Sequence, residues 1–156
     1  MVPFAYYFNS CSWPANPGSI ALVEPWTEED DFEPMDRTIL GFVKHPGLRC
    51  RAAMRVGEHF ITRVAFLENP PAPIVKIGDM VWDEHVVTRA ASDNEASKAF
   101  TPSLRRLLQT WGFRGHLEMR PGGLVVHSAG YKPIAEHYQQ LSVSIRQIVT
   151  AALNPS

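Results

Sequence analysis

The side chains of this chain that could do chemistry fall into three groups, and each must be weighed against the geometry of the segment that carries it. Asp79, Asp83, Glu84 and His85 lie within seven residues, an oxygen- and nitrogen-rich set of the kind that holds a divalent ion. On an extended strand, however, neighbouring side chains point to opposite faces, so Glu84 and His85 do not share one ion there. Asp79 suits a Gly-Asp turn and Asp83 a local backbone hydrogen bond; no metal and no cofactor is expected. His116 and His127 are the second group. They are expected to lie near each other across a hairpin, as a surface feature rather than a catalytic base, and His45, His59 and His137 are scattered. No Ser or Cys stands in a nucleophile elbow, and Gly122-Gly123 lacks the Lys and following helix of a phosphate loop.

The third group is Arg49, Arg51, Arg55 and Arg63 with Phe60 and Phe66. Arginines interleaved with aromatics on a sheet face can hold single-stranded nucleic acid through phosphate contacts and base stacking. The plainer reading is a solvated face, or one covered by an acidic segment of the same chain. A net charge of −1 weighs against nucleic acid.

The elements that must position these groups can be read in outline. Residues 1–36 carry seven carboxylates and no Lys or Arg, whereas the remaining 120 residues carry 15 basic and 9 acidic side chains. That first stretch also holds Pro3, Pro14, Pro17, Pro25 and Pro34 among Phe4, Tyr6, Tyr7, Phe8, Trp13, Trp26 and Phe32. It reads as an acidic, aromatic arm, irregular in structure, that lies either on its own body or on a partner, with Trp13 and Trp26 as contact residues. Pairing of Ser19–Val23 with a sheet edge is compatible with both. Residues 37–156 read as a single domain.

Within that domain Arg37–Lys44 suits a strand. Leu48–Val56 alternates, with Leu48, Cys50, Ala52, Met54 and Val56 on one side and Arg49, Arg51, Ala53 and Arg55 on the other. Gly57-Glu58 predicts a turn into His59–Leu67 and hence a hairpin. Its register sets Phe60 and Phe66 beside the arginines, so either that face is covered or a bulge reverses the partner strand. Ile74–Ile77 and Val81–Arg89 read as strands, the second rich in β-branched and aromatic residues. Ser92 and Glu95 have the spacing of a capping box, which starts a short helix near Asp93. Thr101 caps a second helix with Pro102 at its first position, a stripe of Leu104, Leu107, Leu108 and Trp111, and Gly112 as its stop. His116–Arg120 and Leu124–Ser128 make a hairpin, and Pro133–Leu153 an amphipathic closing helix.

Gly78-Asp79-x-x-Trp82-Asp83, the following Val86-Val87, and Thr101-Pro102-x-Leu104-Arg105 resemble the motifs of a family of uncharacterised bacterial proteins. That family has a Gly-Asp-x-x-Phe-Asp motif, a Leu-Thr-Pro-x-Leu-Arg helix start, a short hairpin and a closing helix, and is often membrane-associated. The resemblance spans about residues 37–153, with Trp82 in place of Phe, and implies no catalytic residues.

The expected fold is therefore α+β, an antiparallel sheet of six or seven strands packed against two amphipathic helices. The two cysteines are too few and too far apart for a zinc or redox motif, and no apolar run reaches the roughly 18 residues of a membrane span. The expected function is a non-catalytic interaction or assembly module in the cytoplasm, holding a protein partner or a second copy of itself. Single-stranded nucleic-acid binding through the Arg/aromatic face is one alternative. A ligand-binding or hydrolytic domain, with His116 or His137 at a cleft between sheet and long helix, is the other.

Overall fold

In a computed structural model describing residues 6–26, 37–57 and 72–154, with residues 6–9 and 26 described through their backbone only, every strand pairing is antiparallel. The strands are β1 (Tyr6–Pro14), β2 (Ser19–Trp26), β3 (Leu40–Lys44), β4 (Ala52–Val56), β5 (Ile74–Val75), β6 (Val87–Ala90), β7 (Gly115–Arg120) and β8 (Gly123–Ser128). The helices are α1 (Met80–His85), α2 (Asp93–Ala99), α3 (Pro102–Trp111) and α4 (Ala135–Leu153). Among the described residues one eight-stranded sheet runs in the order β1-β2-β3-β8-β7-β4-β6-β5. This is the α+β class expected, with the longest helix C-terminal and one or two strands more than the pattern predicts.

The added strands come from the stretch read as irregular. Ser19–Val23 pairs with Lys44–Leu40, and β1 pairs in turn with β2. Ile20 and Leu22 alternate into the core, which is a period-two signal interrupted by proline. The prolines sit where a missing N–H does least harm: Pro14 ends β1, Pro17 lies in the connection, and Pro25 is next to the end of β2.

One face of the sheet carries Ile20, Leu22, Val43, Met54, Leu117 and Val126, packed against Leu104 and Leu108 of α3 and Leu141, Ile145 and Ile148 of α4. The fit is close at Gly41, where an added Cβ would stand 2.3 Å from Ile145 Cδ1 and 2.9 Å from Val126 Cγ1. Gly41 thus lets α4 rest directly on the middle of the sheet.

The caps fall where the residue types require. Ser92 Oγ accepts from the Glu95 N–H at 3.2 Å, Thr101 Oγ1 accepts from the Leu104 N–H at 3.2 Å, and Gly112 turns left-handed at φ 64°. Glu95 does not close a reciprocal box. Its carboxylate accepts instead from the Arg51 N–H at 3.0 Å, which ties α2 to the approach of β4.

Two expectations are corrected. Residues 81–89 are not one strand: Met80–His85 is helical, and only Val87–Ala90 pairs in the sheet. Local caps override the β-branched composition, because Asp79 accepts from the Trp82 N–H at 3.2 Å and Asp83 accepts from the Ile77 and Gly78 N–H groups at 3.0 and 2.9 Å. Nor does β4 have an edge for a hairpin partner along Ala52–Arg55, since β6 and β7 occupy both of its sides. His59–Leu67 itself lies outside the described residues, with Phe60, Arg63 and Phe66.

Among the described residues no helix is long and apolar enough to cross a membrane.

Candidate functional site

In β7 and β8, Leu117 and Val126 face the helices, so their neighbours His116, Glu118 and His127 face the other way. The register sets His116 directly opposite His127, as the hairpin reading expected, but the pair is buried and is not the surface feature expected, and Arg55 stands opposite His116 on the other side. Thr38 Oγ1 lies 2.8 Å from His127 Nε2, His116 Nε2 lies 3.6 Å from Glu118 Oε2, and Arg120 Nε donates to Glu118 Oε1 at 2.5 Å. This polar row is buried at its centre, as are Leu40 and Ala53 beside it. Thr38 thus pairs with His127 and Arg120 holds Glu118 by hydrogen bonds, while His116 Nε2 and Glu118 Oε2 face each other beyond hydrogen-bond reach.

Among the described residues no cleft separates the middle of α4 from the sheet. Leu141, Ile145 and Ile148 fill the space between α4 and the sheet, and His116 is on the opposite face. His137 stands in the first turn of α4, where Nδ1 accepts from the Lys132 N–H at 2.8 Å and the ring meets Tyr131 edge-on. Asp79, the N-cap of α1, pairs with Arg105 Nε at 3.0 Å. The Trp82 N–H first, and Arg105 with it, hold the Asp79 carboxyl below its usual range. Among the described residues no three His, Cys, Asp or Glu side chains converge as metal ligands would.

On the helix side, Glu24 is buried and grips Arg37 in a two-pronged pair, Nε to Oε1 and Nη2 to Oε2, the latter at 2.7 Å. Tyr138 is near this pair, and its hydroxyl is buried with no hydrogen-bond partner among the described residues. Burial, then the negative charge of Glu24, pushes the Tyr138 phenol up to about 12 from an ordinary value near 10. The folded protein therefore keeps this proton where the unfolded chain releases it. Stability that is fully present below pH 10 should be lost as pH rises from about 10 to 12. Tyr138→Phe should remove that component of the alkaline slope and leave neutral-pH stability unchanged or raised by up to ~1 kcal/mol; denaturant titrations at pH 7, 10 and 11 check both. Cys11 and Cys50 are free, half-buried thiols, each pushed up mainly by burial.

The candidate contact residues are dispersed. Arg49 and Arg51 are exposed, Arg55 is half-buried on the outer face, and Arg89 joins it from β6, opposite Ala53. Trp13 is half-buried, opposite Ile20 and packed against the core, while the backbone of Trp26 pairs with Tyr6. What composition did not disclose is the sheet edge. β1 is nine residues long, none of them charged, and among the described residues no strand lies on its outer side. The opposite edge is β5, only two residues long. The run of aromatics and prolines hid β1, although the period of Cys11 and Trp13 against Ser10 and Ser12 is visible once two residues of irregularity after Phe8 are allowed.

Comparison with protein-family models, with curated proteins and with solved structures returned no match. The class is therefore set by the architecture: an α+β protein whose helices cover one face of a wide antiparallel sheet and whose first strand leaves one edge open among the described residues.

Proposed function

We propose that this protein is a non-catalytic interaction or assembly module that accepts a strand along β1, and that the strand comes from a second copy of the chain. The observation that carries the reading is the open, uncharged edge. A terminal strand of this length presents a ladder of backbone donors and acceptors, and sheet edges are ordinarily protected by lysines, shortness or a cover. β1 has no lysine, and its exposed side chains at Ser10 and Ser12 are small. Two such strands related by a two-fold axis meet antiparallel, and with no charged residue between Tyr6 and Pro14 nothing repels across that axis. The irregularity between Phe8 and Cys11 limits regular pairing to part of the strand, which suits a reversible contact.

Light scattering over a concentration series tests this. The unaltered chain should form a dimer as concentration rises, and Ser10→Lys/Ser12→Lys should stay monomeric with its unfolding midpoint unchanged, because both positions are exposed. A wild-type chain that remains monomeric at every concentration overturns the proposal.

A further inference from the structure

The end of β4, α1 and the end of α3 enclose a groove of about 250 Å³. Its floor is Met54, Trp82, Leu108 and Phe113, all members of one contiguous core and none more than 5% exposed. Val56, on the same face of β4 as Met54, and Val86 also line it and pack against that core. Val81 stands at the rim, 61% exposed. The floor has no side-chain donor or acceptor to spare. Its one strong polar atom, the Trp82 indole Nε1–H, already donates to Thr88 Oγ1 at 2.9 Å. No Asp, Glu, Lys or Arg side chain lines the groove, and its polar side chains, His85 and Gln109, are exposed. His85 Nε2 lies 3.9 Å from the Glu84 carboxylate, with its side chain 67% exposed.

We infer that this groove binds a small uncharged, largely apolar molecule of one or two rings, seated on Met54, Trp82, Leu108 and Phe113. The floor excludes charge, because a carboxylate or ammonium placed on it would lose hydration and find no partner. Volume sets the size. An apolar cavity of ~150 Å³ stays dry and accepts benzene, so the larger space here takes up to a fused pair of rings, whereas a helix ~10 Å across does not enter it. Water held over such a floor has few partners, and an apolar ligand that displaces it gains affinity. The rings of Trp82 and Phe113 and the thioether of Met54 add ring–ring and sulfur–ring contacts to a flat ligand. In the sheet order four strands separate β4 from β1, so this site stands whether or not the chain pairs with itself.

The probe is 2-naphthol, uncharged at pH 7, titrated into the full chain and followed by the methyl resonances of Met54, Val56, Val86 and Leu108. Saturable shifts with a Kd of about 1 mM or tighter are expected, while the methyls of Leu141 and Ile148 under α4 stay fixed. Phenol, one ring smaller, should bind about tenfold more weakly. The anion 2-naphthoate and the cation 2-naphthylmethylammonium should each bind at least ~fivefold more weakly than 2-naphthol. Val81→Asp puts a carboxylate at the rim and should weaken 2-naphthol at least ~fivefold, and Val81→Leu should keep the wild-type Kd within about twofold. Both variants should unfold at the wild-type midpoint, because the position is exposed. The inference is overturned if these methyls show no saturable shift, if the charged analogues bind as tightly as 2-naphthol, or if Val81→Asp binds it as the wild type does.

Discussion

Trp82→Ala should lower the unfolding free energy by about 3–5 kcal/mol, among the largest losses of any single truncation in this chain. Trp82 is only 1% exposed, its ring lies 5.6 Å from that of Phe100 between centroids, and its Nε1–H donates to Thr88 Oγ1 at 2.9 Å. Truncation leaves a cavity that α1, β6 and the end of α2 cannot collapse into together. It also strips the buried Thr88 hydroxyl of its donor, which adds to the loss. For a chain of this size the shift corresponds to roughly 10 °C or more in Tm. Trp82→Phe weights the hydrogen-bond contribution, because it keeps most of the volume and removes the N–H, so it should cost about 1–3 kcal/mol. Guanidinium denaturation of the two variants measures both values. A loss under about 1 kcal/mol for the alanine variant would mean that Trp82 does not join α1 to the sheet.

That same residue shows how far the sequence could be read. Val81–Arg89 has strand composition, yet Asp79 and Asp83 each hold backbone N–H groups and wind the first part into α1. From their types Asp79 suits a Gly-Asp turn and Asp83 a local backbone hydrogen bond, but two such groups so close together start a turn of helix. Signals confined to a few residues were legible: the caps at Ser92 and Thr101, the left-handed Gly112, the stripe of α3 and the alternation of β4. Pairing was not. Nothing local says that β4 is flanked by β6 and β7, because both partners lie far along the chain and the glycine turn after Val56 pointed to a nearer one. The His116–His127 contact was legible because a hairpin makes it local.

Charge was the most misleading feature of the first stretch, and it leads to the second large effect. Seven carboxylates before Arg37 read as one acidic arm, but Glu24 belongs to β2, is 1% exposed and lies on the helix side of the sheet. Its guanidinium partner comes from the first basic residue of the chain. Arg37→Leu removes the two-pronged donor and leaves the carboxylate in the core, so it should cost about 2–4 kcal/mol. The figure falls below the ~3–5 kcal/mol of a fully enclosed pair because the Arg37 side chain is itself 36% exposed, and solvent screens its half of the interaction. Glu24→Leu/Arg37→Leu should recover at least half of that loss, since replacing both partners avoids stranding either charge. Urea unfolding of the single and double variants measures the coupling. If the double variant is no more stable than Arg37→Leu, the loss comes from packing along the Arg37 stem, and burial of the carboxylate is not what the pair offsets.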